Sequence, residues 1–333
     1  MGENKLTSSR KALVVGIDDY GVASLNGCVN DANDVAALLS RDYDGNLNFS
    51  VQLKTSTSHS ITKSALKGWI NECFSGDDEI ALFYFSGHGQ IDTTGGYIVT
   101  PDYAPLDWGV SMQDILTYAN KSKCKNKIII LDCCHSGSVG AINTLNQQTA
   151  VINEGVTILT ASKFDETAME INGRGVFTEL LTDALKGGAA DITGNISPGN
   201  IYAYIDRALG PWEQRPVFKT NVKQFVSLRK AKPPIDISIV RKITEYFSEP
   251  TIKLPLDPSY EPTNNKKTEH KVIKPYSNQH NTEVFKDLQK LESVGLVVPD
   301  GTPHMYYAAM ESKACKLTSI GQHYWRLVKE NRI

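Results

Sequence analysis

The sequence has no long apolar run and no strongly basic or acidic balance, and each absence excludes a class of protein. The longest apolar clusters have the length of a strand, so no segment predicts a membrane span. The first residues are polar (MGENKLTSSRK) and lack the apolar centre of a signal peptide, so we expect a cytosolic protein. With 35 Lys and Arg against 37 Asp and Glu, no overall positive field draws the chain to nucleic acid or to anionic lipid.

The six cysteines form no CxxC pair and follow no regular spacing. In a reducing compartment this pattern predicts six free thiols, of which at most one or two are reactive. Cys133, Cys134 and His135 are consecutive, and consecutive residues do not converge easily on one tetrahedral ion. We therefore predict no metal site at these residues.

Short apolar runs alternate with segments of helical periodicity over the first two thirds of the chain. The apolar runs predict buried strands at 11–18, 48–54, 79–86, 127–133, 155–161 and 222–228. The periodic segments predict helices at 30–40, 60–74, 111–121, 174–187 and 197–209. This alternation is typical of an α/β fold with a mostly parallel sheet flanked by helices, in which functional sites lie at the carboxyl ends of strands.

The composition changes after residue 230. Residues 231–282 are rich in Pro, Lys, Asn and Thr, which predicts a linker with one short helix at 238–248. Helical periodicity returns at 283, followed by two predicted strands around a Pro-Asp-Gly turn and a closing helix, an order that resembles part of a winged helix. We predict a tail (1–10), a large α/β domain (11–230), a linker (231–282) and a small winged-helix-like C-terminal domain (283–333).

Two polar motifs directly follow two of the predicted strands. The strand 79–86 leads into SGHG, which contains His88, and the strand 127–132 leads into DCCHSG, which contains Cys134. Parallel strands end at the same edge of a sheet, so we expect the two motifs to be close together. A nucleophilic cysteine needs a base that takes its proton and N–H donors for the oxyanion, and these motifs offer both.

The pair SGHG and DCCHSG resembles the catalytic motifs of the caspase-like cysteine peptidases of the C14 type, in the variety found in metacaspases and bacterial orthocaspases. The separation from His88 to Cys134 is close to the value of about 50 residues, histidine first, that caspases show. The resemblance covers most of residues 11–230. It implies a cysteine endopeptidase in which His88 is the base, Cys134 is the nucleophile, and the N–H groups of Gly89 and Cys134 bind the oxyanion.

The same resemblance implies an acidic specificity pocket formed by Cys28, Asp31, Ser86 and Asp132. Two carboxylates in a concave site would bind a Lys ammonium or an Arg guanidinium by charge-assisted hydrogen bonds and would repel an aspartate. We therefore expect cleavage after Arg or Lys. Asp31 taken alone is also typical of a helix cap, and the two roles are compatible.

The predicted chemistry requires no cofactor. Many metacaspases hold calcium in a cluster of acids, but Ala141 occupies a position where an acidic ligand is expected. The loop after the catalytic histidine offers Asp92, Asp102 and Asp107. An oxygen-rich calcium cage is therefore incomplete in the sequence, and we expect activity without calcium.

The resemblance also implies a biological setting, namely regulated proteolysis, cell death or phage defence in a bacterium. Such an effector would activate a protein partner by limited cleavage at Arg or Lys, and a bacterial gasdermin is one candidate substrate. The alternative is a caspase-fold binding or scaffold protein whose C-terminal domain binds DNA or a partner protein. A third hypothesis is a cysteine enzyme that acts on a small molecule. The intact pair of His88 and Cys134 favours the peptidase.

Overall fold

The computed structural model describes residues 9–133, 152–161, 170–171, 174–210, 215–267 and 271–333. The chain forms two compact units, the first ending at Lys232 and the second beginning at Pro233. Within these described ranges, no helix is both long enough and apolar enough to cross a membrane.

The first unit alternates strands and helices. Its strands are β1 (Arg10–Gly16), β2 (Ser50–Thr55), β3 (Ile80–Ser86), β4 (Gly89–Asp92), β5 (Gly95–Ala104), β6 (Asp107–Ser111), β7 (Asn126–Asp132), β8 (Val156–Thr160), β9 (Glu170–Ile171), β10 (Arg174–Gly175), β11 (Asn195–Ile196), β12 (Val217–Asn221) and β13 (Arg229–Lys230). Its helices are α1 (Cys28–Ser40), α2 (Lys63–Phe74), α3 (Met112–Lys121), α4 (Val176–Asp183) and α5 (Pro198–Leu209). Six strands form the central sheet in the order β12-β8-β7-β3-β1-β2, with only β12 antiparallel to its neighbour.

Helices cover both faces of this sheet, as the continuous apolar runs predict. Along β3, Leu82 and Tyr84 share a hydrophobic cluster with side chains of α1, α4 and α5, whereas Phe83 and Phe85 share one with side chains of α2 and α3. All seven residues of β3 are buried. The predicted α/β fold with a mostly parallel sheet is confirmed.

The strand predicted at 222–228 is wrong. The edge strand is β12, which ends at Asn221 and pairs antiparallel with β8. An edge strand of an antiparallel pair needs few apolar side chains, so Lys219 and Thr220 are tolerated there and apolar content does not locate it. The more apolar segment 222–228 is not a strand; its Leu228 is buried in the core and its Phe225 is exposed.

The second unit contains a small antiparallel sheet and five α-helices among its described residues. The strands are β14 (Lys253–Pro255), β15 (Val297–Asp300) and β16 (Ala314–Leu317), in the order β14-β16-β15. The helices are α6 (Ile237–Arg241), α7 (Ile243–Tyr246), α8 (Gln279–Ser293), α9 (Met305–Met310) and α10 (Ser319–Lys329). The two strands predicted around a Pro-Asp-Gly turn do form and pair, but α9 lies between them because Met305 and Ala309 enter the core. The winged-helix resemblance stays a prediction.

The predicted linker 231–282 differs from the structure, since much of this segment belongs to the second unit. Its strand β14 pairs with β16, and Phe247 is fully buried. Asn264 is also buried, and its Nδ2, which carries two hydrogens, lies within hydrogen-bond distance of the carbonyls of Pro258 at 2.8 Å, Ile273 at 2.7 Å and Pro275 at 2.9 Å. Residues 231–282 are therefore partly ordered despite their polar composition. The buried side-chain amide of Asn264 provides hydrogen bonds for carbonyls that a linker would expose to water.

Candidate active site

The carboxyl ends of β3 and β7 meet at one edge of the central sheet. Ser86, the last residue of β3, is paired with Asp132, the last residue of β7. Side chains alternate along a strand, so Ser86 lies on the same face as Tyr84, the face that packs against α1 and α4. Asp132 shares this face because paired residues on neighbouring strands point the same way.

His88 follows β3 after one glycine, and a buried tyrosine fixes its backbone. Tyr20 Oη accepts the His88 N–H at 3.0 Å and donates to the Val99 carbonyl at 3.3 Å, while the Tyr20 and His88 rings lie 4.7 Å apart. A Cβ at Gly87 would collide with Tyr20 Oη, so this contact requires glycine. Burial raises the pKa of Tyr20 well above its usual value, and the phenol therefore stays protonated and able to donate.

The imidazole of His88 is oriented by a backbone carbonyl. His88 Nε2 lies 2.6 Å from the Ala23 carbonyl oxygen, which can only accept a hydrogen bond. The proton of the neutral ring is therefore on Nε2, and Nδ1 keeps the lone pair that a base needs. A base that is itself held by a third group is the arrangement found in enzymes with activated nucleophiles.

Asp18, which follows β1, fixes the start of α1. Its carboxylate accepts the N–H of Cys28 at 2.8 Å and the N–H of Val29 at 3.3 Å. An acid is favourable here because the first N–H groups of a helix have no partner within the helix. This capping explains why α1 begins at Cys28, before the predicted start at residue 30. It also places Asp31 in the first turn, directed at the site.

Asp31 and Asp132 are both buried, with exposed fractions of 2% and 6%. Asp31 Oδ2 accepts from the Ser86 hydroxyl at 3.4 Å and from the Gly175 N–H at 3.3 Å. Asp132 Oδ2 accepts from the Thr178 hydroxyl at 2.6 Å. Both carboxylates are held by donors from neighbouring elements, and a concentration of buried negative charge favours a bound cation.

Cys28 adjoins the same group of residues. Its thiol is hydrogen-bonded to Ser86. Burial raises the pKa of Cys28, and the negative charges of Asp18, Asp132 and Asp31 raise it further. Cys28 therefore stays an uncharged thiol that lines the site. The structure brings together all four residues of the predicted specificity pocket.

A family model described as the caspase domain matches residues 9–227, well over half of the chain. The chain belongs to the caspase family. The protein GSU0716 from Geobacter sulfurreducens is similar in structure at 18% identity, over 68% of this chain and 98% of that chain, with a TM-score of 0.49. Caspase-1 from Spodoptera frugiperda is similar at 13% identity, over 68% of this chain and 92% of that chain, with a TM-score of 0.49. None of the curated proteins compared with the chain matches it significantly.

The caspase family consists of cysteine peptidases, so the resemblance inferred from the two motifs is confirmed at the level of the family. Within this caspase domain, Cys134 and Ala141 lie outside the described residues. Gly89 opens β4 directly after His88, and its role as an oxyanion donor stays a prediction. Cys133 is 1% exposed and lies in the hydrophobic cluster on the α2 and α3 face, in keeping with a packing residue.

The three acids that follow His88 in the sequence each contact another residue. Asp92 accepts from the Thr94 N–H at 2.7 Å, Asp102 accepts from the Lys63 N–H at 3.0 Å, and Asp107 forms an ion pair with the Lys63 ammonium. In the part of the chain that the structure describes, no three His, Cys, Asp or Glu side chains cluster in a way that could hold a metal ion. Activity without calcium stays a prediction.

The residues that hold the predicted ones in place were not predicted from the sequence. These are Tyr20 and Ala23 around His88, and Gly175 and Thr178 around the two carboxylates. Ala23 contacts His88 through its backbone carbonyl, which every residue has, so this role cannot be predicted from the sequence. The role of Gly175 could have been suspected, because a glycine directly before a helix often allows another group to approach the backbone closely.

Proposed function

We propose that this caspase-domain protein is a cysteine endopeptidase that cleaves peptide bonds after arginine or lysine. The observation that carries the proposal is the meeting of two buried carboxylates, Asp31 and Asp132, at the strand ends that lead to His88 and Cys134. A side-chain cation fits such a pair best, because charge-assisted hydrogen bonds are strong where water is excluded.

In the proposed reaction His88 is the general base. Its Nδ1 lone pair takes the proton of the Cys134 thiol, and the Ala23 carbonyl supports the resulting imidazolium through Nε2–H. The thiolate attacks the scissile carbonyl carbon, and the carbonyl electron pair moves to oxygen, where the N–H groups of Gly89 and Cys134 bind it. The C–N bond then breaks, the imidazolium protonates the leaving amine, and water hydrolyses the thioester.

The proposed partner is a protein with Arg or Lys at an exposed cleavage site, and a bacterial gasdermin remains one candidate. The setting that we propose is the cytosol, with a role in regulated proteolysis, cell death or phage defence. This part rests on the likeness of DCCHSG to the orthocaspase motif. The second unit would then bind a protein or a nucleic acid, and this binding would localise or regulate the protease.

A peptide panel tests the proposed specificity. The purified full chain is expected to hydrolyse fluorogenic peptides with Arg or Lys before the cleaved bond and to leave matched Asp peptides intact, because two carboxylates repel a third. Rates with calcium and with a chelator are expected to agree. Cleavage after Asp would overturn the pocket. No cleavage of any peptide would favour the binding-protein alternative. Binding of DNA and of partner proteins would then be compared between the full chain and a chain without the whole second unit, residues 233–333.

Thiol labelling tests the nucleophile without any substrate. Iodoacetamide is expected to alkylate Cys134 first, because the other five cysteines are buried. Burial also raises the pKa of Cys73 and of Cys315 to about 12, so these thiols carry almost no thiolate at neutral pH. Mass spectrometry of the digested protein gives the site, and His88→Ala should slow the labelling. Labelling that favours another cysteine contradicts the assignment.

A further inference from the structure

Thr178 joins two buried groups beside the proposed specificity pocket. It lies in the first turn of α4, is 1% exposed, and makes hydrogen bonds of 2.6 Å to Asp132 Oδ2 and 2.6 Å to Tyr84 Oη. A threonine hydroxyl has one hydrogen, and a carboxylate only accepts. Thr178 therefore donates to Asp132, and Tyr84 must donate to Thr178.

The direction of this chain of hydrogen bonds is fixed by the state of Tyr84. Burial raises the pKa of Tyr84 well above its usual value, and the charges of Asp132 and Asp31 raise it further. The phenol is therefore protonated at neutral pH and can donate. Tyr84, on β3, supports Thr178, on α4, and Thr178 holds the carboxylate at the end of β7 in one orientation.

Gly175 lies at the point where the two carboxylates converge. Its N–H donates to Asp31 Oδ2 at 3.3 Å, and it directly precedes α4, whose N-terminus favours negative charge. A Cβ built at Gly175 would lie 2.5 Å from Asp132 Oδ2 and 3.3 Å from Asp31 Oδ2. The first distance is shorter than any ordinary contact, so a side chain here would displace Asp132.

We propose that Gly175 and Thr178 are the positioning residues that set the specificity of the pocket for arginine over lysine. The inference rests on the proposed cleavage after basic residues. A guanidinium spreads planar N–H donors over two carboxylates at once, whereas an ammonium is a compact point charge. When Thr178 and Gly175 hold the two carboxylates in fixed orientations, the carboxylates bind the planar guanidinium better than the ammonium. Without these contacts, they should bind both cations about equally.

Three threonine variants separate positioning from folding. Thr178→Val keeps the volume but removes the donor, and Thr178→Ser keeps the donor. The matched control is Thr182→Val, one turn further along α4, where a threonine that is 2% exposed donates to the Glu179 carbonyl. Thr178→Val is expected to raise KM for an Arg peptide about 10-fold or more, a larger change than in kcat, and to bring the Arg-to-Lys ratio of kcat/KM toward one. Thr178→Ser should restore both values, and Thr182→Val should leave them unchanged.

Calorimetric binding gives a readout that needs no turnover. Agmatine, which carries a guanidinium and an ammonium, is compared with cadaverine, which carries two ammonium groups. The wild-type chain is expected to bind agmatine, Thr178→Val at least about 10-fold more weakly, and Gly175→Ala not measurably. If Thr178→Val does not fold, Tyr84→Phe provides the second variant, because it removes the donor to Thr178 and should weaken binding in the same direction.

The outcomes distinguish this inference from the proposed function. If the wild type cleaves Arg peptides while Thr178→Val keeps the wild-type KM and Arg-to-Lys ratio, the positioning roles are overturned and the peptidase stands. If the wild type binds agmatine through Thr178 and Gly175 but cleaves nothing, the pocket stands and the peptidase is overturned. A wild type that neither binds agmatine nor cleaves overturns both.

Discussion

Replacing His88 with alanine is expected to lower kcat/KM for an Arg peptide by about 10²- to 10⁴-fold, the usual contribution of a general base. The reason is the orientation of the imidazole, because the contact of Nε2 with the Ala23 carbonyl leaves Nδ1 for the proposed proton transfer. Steady-state kinetics on the fluorogenic peptides measures the loss. The Tm should change little, since the side chain is only partly buried.

His59→Ala is the matched control for this experiment. His59 follows β2 at the same edge of the sheet, but it hydrogen-bonds to Ser58 at 2.8 Å and to Lys54 at 3.4 Å. Its removal is expected to leave kcat/KM within about twofold of the wild type, as for a surface substitution away from the chemistry. Equal activity in His88→Ala and the wild type would remove His88 from the mechanism.

The two members of a dyad act as a unit, and their effects should not add. Cys134→Ala is expected to abolish measurable cleavage, and the double variant with His88→Ala is expected to be no slower than Cys134→Ala alone. Multiplicative losses in the double variant would mean that His88 contributes by another route, such as substrate binding. A comparison of all three variants therefore tests the pairing itself.

The strands that hold the site could be predicted because both faces of the sheet are covered. A strand such as β3, with all seven residues buried, produces a continuous apolar run that stands out in the sequence. The three strands β4 to β6 directly after His88 were missed. β4 and β6 have only four and five residues, and β5, which has ten, begins with two glycines and ends in mostly exposed residues, so none of the three has a continuous apolar run. The sequence thus predicts the sheet that carries the site better than the strands around it.

The residues of the site could be predicted in part for a related reason. His88 stands directly beyond an apolar run and Asp132 ends one, and their surrounding motifs carry the family resemblance. Their supports could not be predicted, because Thr178 is distant in sequence and meets Asp132 only when α4 packs on the sheet. The position of Thr178 in a helix does not show which carboxylate its hydroxyl will meet, so this contact is known only from the fold.

Replacing Asp132 with asparagine is expected to lower kcat/KM for Arg peptides by roughly thirty- to several-thousand-fold. Truncating one member of a buried, hydrogen-bonded charge pair costs about 2–5 kcal/mol, and every 1.4 kcal/mol is about tenfold. Asp31→Asn should act in the same direction, because its carboxylate meets the same glycine from α1. Kinetics with Arg, Lys and uncharged peptides measures the loss, which should be largest for the charged ones.

The Tm of Asp132→Asn shows whether the Asp132 carboxylate binds substrate or instead stabilises the fold. Asparagine keeps an oxygen that can accept from the Thr178 hydroxyl and removes only the charge, so Tm should change little while activity falls. Asp78→Asn is the control, since Asp78 pairs with Lys11 at 2.7 Å just before β3 begins, at the opposite edge of the sheet. Its activity should match the wild type. Unchanged Arg cleavage in Asp132→Asn would place the specificity pocket elsewhere, and a large fall in Tm together with activity would mean that Asp132 maintains the fold.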